Sequence, residues 1–393
     1  MVADEYPWPA RTGYRLRLDA VVRALADAGS VDLIAAVLDA RTGRDDPPHD
    51  VPLRRCVPVV AGPRREGSAR RALRWAGGSL PRALLWRDWE PVRAVLRSWL
   101  VDGPYDAVWF SHAPVYIALS DLVPRHSIVD LDNLDSFLLR HRRGHRGRVL
   151  ATADRIDERR WLGLQERIAA AADAIVVCSE LDRGRLGAAN AVVVPNGYER
   201  PDGTPAPAPV RRPGTAPVLL MVGLLTYEAN RDGAEFFATQ ILPQVRAGIP
   251  AAAFRLVGRF DDETQVARLR GAIGVSVAGE VPDIRPELAA ADVAVVPVRF
   301  GGGTRIKILE AFAYGVPVVA TTVGCEGLDV VDGEHLLVAD DPESFAQACV
   351  RVLTDDAVRA KLVTNARALW NQQYRWHTIR PAITALAQRV GEG

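Results

Sequence analysis

The chain has 393 residues, 48% of them hydrophobic and 25% charged, with a net charge of +1. This is the make-up of a folded protein of about two domains, and so balanced a charge gives no global field for nucleic acid. Four scattered cysteines, Cys56, Cys178, Cys325 and Cys349, have no CxxC spacing; this argues against a structural zinc site or a disulfide framework and fits a reducing compartment.

The opening MVADEYPWPARTG has no basic segment followed by an apolar one, so no signal peptide is expected, and no run of 18 apolar residues predicts a membrane span. A cytoplasmic protein is expected. Only three residues precede DEYPWP, so the first central strand is expected to be very short, absent, or lost through a late start codon. Short β-branched runs then predict strands at Val31–Val37, 107–110, Ser127–Leu131, 174–178 and 191–195. Helical spacing predicts helices at 16–28 and 157–171. Residues 64–100 are rich in Arg and Trp (Trp75, Trp86, Trp89, Trp99), and 140–148, RHRRGHRGR, is strongly basic. Both stretches are either solvated and packed faces or a surface for an anionic membrane or a phosphate-bearing acceptor.

Residues 195–217, PNGYERPDGTPAPAPVRRPGTAP, are too dense in Pro and Gly for a helix or a central strand and predict a linker. Beyond it, strands are expected at Val218–Val222, 254–257, 275–278, 293–297 and 317–320, with helices at 234–246, 264–273 and 305–314. The short, unalternating strands between helices predict an α/β protein of two doubly wound, Rossmann-like domains with parallel sheets. The expected division is 1–197, a linker at 198–216, 217–370, and a final segment 371–393. Ligands belong at the carboxyl ends of the strands, in a cleft between the domains.

The stretch RFGGGTRIKILEAFAYGVPVVAT, 299–321, joins the end of a strand to the start of a helix. Glycines and the N–H groups of a helix start suit an anion, and Thr304 is a candidate N-cap. Arg305 and Lys307 lie in the first turn, where the helix dipole disfavours cations unless an anion sits between them. Gly315 is a natural C-cap before Pro317. The loop is neither a Walker A motif nor a GxGxxG fingerprint. Glu310 lies one turn beyond Lys307; it is either an i, i+3 surface partner of that lysine or an acceptor for ribose hydroxyls. VDLDN at 129–133 contains Asp-x-Asp, which reads as loop hydrogen bonding or acceptor contact rather than a metal site.

The segment VVPVRFGGGTRIKILEAFAYGVPVVATTVGCEGL resembles the donor site of retaining, GT-B-fold glycosyltransferases of family 4, in a Gly-Thr-Arg-x-Lys variant with Tyr-x-x-Asn at 227–230. SHAP at 111–114, VVCSE at 176–180, VVVPNGYE at 192–199, MVGLLTYEANRDGAEFF at 221–237 and AGEVPDIRPELAAADVAVVP at 278–297 are similar to further family segments in the same order. Residues 374–376 resemble the family's final segment, whose helix crosses back to the first domain. The resemblance implies that Glu310 binds a ribose, that Gly302, Gly303, Thr304, Arg305 and Lys307 hold a pyrophosphate, and that Val281 lies near the base. It implies that Gly223 belongs to the donor site and Gly13 to the first-domain turn by the phosphates, and that His112 contacts the transferred sugar. Tyr14, Arg15, Asp132 and Asn133 are acceptor-side candidates. Two departures stand out: Gly302 replaces the first acid of the family's Glu-x7-Glu pattern, and Leu224 and Ala229 replace its Arg and Lys.

The implied function is retaining, metal-independent transfer of a sugar from a UDP- or GDP-type donor, with no cofactor, to a small-molecule, glycan or lipid-linked acceptor. Peripheral contact with the inner face of a membrane is part of that expectation, and nucleic acid is not. The catalytic residues would be His112, Arg305 and Lys307. The alternatives are a degenerate nucleotide-sugar-binding or partner protein of the same fold, and a nucleotide-sugar 2-epimerase.

Overall fold

The computed structural model describes residues 1–40, 46–123, 125–143, 147–200 and 215–392. The chain forms two compact units: Met1–Asn196 with Trp376–Gly393, and Gly197–Arg375. Most of the expected linker, and residues 144–146 of the basic run, lie outside the described residues.

The first unit is built on β1 (Val2–Ala3), β2 (Val31–Val37), β3 (Leu53–Val60), β4 (Val108–Ser111), β5 (Ser127–Leu131), β6 (Ala174–Val177) and β7 (Ala191–Val193). Their order is β3-β2-β1-β4-β5-β6-β7, with every pairing parallel. The first strand is thus very short but central, and the strand order reverses beside it. Strand β3 was not expected. It is an edge strand, LRRCVPVV, that is mostly part-buried or exposed and carries two arginines and a proline, so it lacks the unbroken apolar run of its neighbours. Its Arg54 and Arg55 both donate to the buried Asp32 of β2, at 2.9 and 2.8 Å through their Nε atoms.

The last helix, Trp376–Gly391, also belongs to this unit. Trp376, Ile379, Ile383, Leu386 and Val390 pack with Ala20, Val21 and Ala24 of the helix Gly13–Ala28. Thr384 Oγ1 donates to the Ala24 carbonyl at 2.8 Å.

The Arg- and Trp-rich stretch is largely used in packing. Trp89 is buried in the core. The Trp75 indole donates to Asp157 at 2.7 Å, and Arg55 stacks on Trp99 at 4.4 Å. In the basic run, Arg140 and Arg143 pair with Glu158, and Arg142 with Asp154, both acids of the helix Arg148–Ala171.

The second unit has β8 (Val218–Val222), β9 (Ala253–Val257), β10 (Val275–Gly279), β11 (Val293–Val296), β12 (Val318–Ala320) and β13 (Leu337–Val338), in the order β10-β9-β8-β11-β12-β13. All its pairings are parallel as well. Here the order reverses between β8 and β11. In open parallel sheets the crevice at such a reversal, at the carboxyl ends of the strands, is where ligands bind. Each unit therefore points to its own site: beyond β1 and β4 in the first, beyond β8 and β11 in the second.

Candidate functional site

In the second unit, β11 runs into the glycine loop and the helix Ile306–Tyr314. Gly301 and Gly303 take φ of 140° and 70°, values that suit glycine. The helix closes as expected on Gly315, left-handed at φ 67°, with Val316 N–H reaching the Ala311 carbonyl at 2.9 Å. Its start differs from expectation. Arg305 is the N-cap residue, without a side-chain capping bond, and Thr304 stands one position too early to cap. The Arg305 guanidinium instead folds back onto the carbonyls of Gly302 and Gly303, at 2.6 Å for the latter, and is buried there. It braces the turn and makes no capping bond to the helix.

Lys307 turns the other way. Its Nζ donates to Asn230 Oδ1 at 2.8 Å, and Asn230 Nδ2 donates to the Leu224 carbonyl at 2.9 Å. Gly223 lies directly beneath: a Cβ there would sit 2.7 Å from Lys307 Nζ and 2.8 Å from Asn230 Nδ2. The expected alternative of a Lys307–Glu310 surface pair is not what forms, because the amine is committed to the amide. Burial, with Arg305 nearby and against the pull of Glu310, brings the Lys307 amine down to about 7. Burial raises the Glu310 carboxyl to about 7, opposed by Lys307 and by the hydrogen bond from the Tyr198 hydroxyl. Two groups of opposite charge type thus titrate near neutrality one helical turn apart.

Glycines crowd the neighbouring strand ends. Gly258 follows β9 at φ 147°, its N–H bonded to the Gly279 carbonyl at 2.8 Å, and a Cβ on it would fall 1.8 Å from the Gly223 carbonyl. Val281, half-buried, follows Gly279. Leu224 and Ala229 supply no cation here, and Ala229 is fully buried.

In the first unit, His112 ends β4 at φ 68° and ψ 149°, a backbone strained for a non-glycine residue, and heads the helix Ala113–Leu119. Its Nδ1 lies 3.0 Å from Asp4 Oδ2 and its Nε2 3.9 Å from Asp132 Oδ2. Burial opposes the charge, but Asp4 and Asp132 outweigh it and hold the imidazole protonated well above its usual range. Tyr14 stacks flat on the ring, centroids 4.2 Å apart and planes 9° from parallel, and its hydroxyl bonds to Asp4 and Ser111. Gly13 and Tyr14 open their helix behind Thr12, whose side chain accepts from Arg15 N–H. The Arg15 guanidinium pairs with Glu5 at 2.6 Å.

The Asp-x-Asp pair is divided by function. Asp130 makes a buried bidentate pair with Arg17, at 3.0 and 2.8 Å. Asp132 accepts from Asn196 at 2.8 Å and from the Cys178 thiol at 3.1 Å, and Asn133 donates to it at 3.3 Å. Among the described residues, no group of three or more His, Cys, Asp or Glu is arranged to hold a metal ion.

Asp4, Tyr198, Gly258 and the role of Asn230 were not anticipated from sequence. Asp4 carried one usable signal, as an acid directly after a strand that proves central. Asn230 was visible within Tyr-x-x-Asn but without a task. Tyr198 was visible within VVVPNGYE but likewise without a task, and Gly258 had no signal of its own.

Residues 216–355 match the family model described as Glycosyl transferases group 1. The chain is 29% identical over 206 residues to the phosphatidyl-myo-inositol mannosyltransferase of Mycobacterium leprae, covering 51% of this chain and 54% of that one. It spans about half the length of the curated relatives it matches. Among solved structures, sucrose-phosphate synthase from Thermosynechococcus elongatus superposes with a TM-score of 0.72 at 20% identity, over 99% of this chain and 98% of that one. Anabaena HepE in complex with UDP-glucose gives 0.63 at 16% identity, over 98% and 97%. Residues 216–355 are a domain of the glycosyl transferases group 1 family, in a chain with the two-domain GT-B fold.

Proposed function

We propose that the protein is a glycosyltransferase that moves a sugar from a UDP- or GDP-type donor to an acceptor hydroxyl. The observation that carries this reading is the arrangement of Lys307 and Glu310 on one helix at the reversal point of the family-matching domain, behind a glycine loop. Glu310 is suited to ribose hydroxyls. Lys307 and the amides of Gly302, Gly303 and Thr304 are suited to the diphosphate. Gly223 keeps the strand end open beside the lysine, Val281 is offered to the base, and Arg305 keeps the loop in shape. The family resemblance assigns Gly13, at the start of its helix, to the phosphates as well. The neighbour solved with UDP-glucose supports a nucleotide-sugar ligand for this fold.

In transfer the bond between the anomeric carbon and the phosphate oxygen breaks, and negative charge grows on the leaving diphosphate. A fixed cation and helix amides stabilise that charge selectively. We place the new bond on the same face of the sugar, with the acceptor proton passing to the leaving phosphate oxygen, so that neither a metal nor a covalent enzyme intermediate is required. His112, held as a cation between two carboxylates, donates a hydrogen bond to the sugar and is not a free base. Tyr14, which stacks on its ring, and Asp132 beside it are proposed as acceptor-side residues, with Arg15 and Asn133.

The acceptor is a small molecule, a glycan or a lipid-linked glycan. Peripheral membrane contact is supported by Leu73 and Val149, which are 73% and 84% exposed, beside arginines of their helices. No helix among the described residues is long and apolar enough to cross a membrane.

The test is turnover of a nucleotide-sugar panel, read as transfer or slow donor hydrolysis. Lys307→Ala should lower the rate about a hundredfold, as loss of a transition-state charge donor does elsewhere; an unchanged rate would remove Lys307 from the mechanism. A second reading, a binding protein that has lost catalysis, is favoured by Gly302 in place of an acid. Nucleotide binding with neither transfer nor hydrolysis would establish it.

A further inference from the structure

Lys307 is long, flexible and half-buried, and among the described residues no carboxylate holds it. Its Nζ rests on the amide oxygen of Asn230, and that amide is fixed in turn by the Leu224 carbonyl. Asn230 is 8% exposed, so its amide is held inside the protein, and the lysine amine packs over Gly223, where any Cβ would displace it. The charged groups that bear on the amine are Arg305 and Glu310 of its own segment, and neither bonds to it. An amide orients an ammonium without neutralising it, whereas a carboxylate would hold it in an ion pair against an incoming anion.

We infer that Asn230 is a positioning residue, which aims the Lys307 ammonium at the diphosphate of a bound nucleotide while leaving its charge for that ligand. This rests on the reading of the second unit as a nucleotide-sugar site. The amine is brought down to about 7, so at mildly alkaline pH it takes up a proton when the diphosphate arrives.

The experiment is calorimetric titration of the full chain with UDP, GDP, uridine and guanosine, for wild type and for Asn230→Ala, Lys307→Ala and the double variant. Asn230→Ala should weaken diphosphate affinity about tenfold and leave nucleoside affinity unchanged. Lys307→Ala should lose more, and the double variant no more than Lys307→Ala alone. Gly223→Ala, which reaches the same pair from beneath, should repeat the Asn230→Ala pattern and covers the case in which Asn230→Ala does not fold. Losses that add, or that fall equally on nucleosides, overturn the positioning role while leaving the nucleotide site intact. Failure of the wild type to bind either diphosphate overturns the site and the positioning role together.

Discussion

Two residues of the second unit set the pH behaviour of the site. On the proposed reading, donor binding needs Lys307 charged and Glu310 ionised. Lys307, lowered to about 7, loses its charge as pH rises through that value; Glu310, raised to about 7, loses its charge as pH falls through it. Nucleoside-diphosphate affinity should therefore peak near neutrality and fall on both sides, while Glu310→Gln should flatten the acid limb only. Titrations between pH 5.5 and 9 check this, and a monotonic profile would contradict it. In the first unit, His112 is held cationic chiefly by Asp4, against burial. Its folded value is raised, so its stabilising contribution is full below its ordinary range near 6.5 and is lost only as pH climbs through the higher folded value. Asp4→Asn should bring the imidazole titration down towards its ordinary range, measured by nitrogen-resolved NMR of the ring. The sequence made His112 legible as a strand-end histidine, but Asp4 could not be read as its partner. That pairing depends on β1 lying beside β4, which is a matter of sheet order and not of local pattern.

Elements were legible where burial on both faces made their sequences uniformly apolar. Val31–Val37, Ser127–Leu131 and Val218–Val222 have the expected bounds. The edge strand β3 was not legible, because only one of its eight residues is buried and its arginines and proline interrupt the apolar run. The expected helix at 234–246 is part of a longer run, Glu228–Phe236, a π-helical turn at Phe237–Ile241 and Leu242–Gly248, which accommodates Pro243. The glycine loop was legible as a turn, yet its cap was not: Thr304 has the right chemistry, but the helix starts beyond Arg305. Gly258 shows what local reading misses altogether. It is required because the β8 and β9 strand ends nearly touch, and Gly258→Ala would drive a methyl group into the Gly223 carbonyl at a φ that non-glycine residues avoid. We expect that change to lower the stability of the second unit by roughly 3 kcal/mol or more, seen in chemical denaturation. A loss under about 1 kcal/mol would mean that the strand ends separate easily.

At the scale of the whole molecule, the chain leaves the first unit near Asn196 and returns to it at Trp376. The last helix supplies Trp376, Ile379, Ile383, Leu386 and Val390 to the core around the helix Gly13–Ala28. Ending the chain after Arg375 should therefore destabilise Met1–Asn196 while sparing Gly197–Arg375. Limited proteolysis should show early cutting in the first unit only, and equal protection of both would contradict this. The alternation of strands and helices carried the two-unit architecture, and the ordered motifs carried the family. The proposed acceptor is not written in either, because the first-unit loops carry no distinctive pattern. The central claim, a nucleoside-diphosphate site built on Lys307 and Glu310, is tested most directly by equilibrium titration of the wild type, Lys307→Ala and Glu310→Ala with UDP and GDP at pH 7. The account predicts saturable binding of at least one diphosphate, weakened tenfold or more by each substitution. No binding, or binding indifferent to both substitutions, would contradict it.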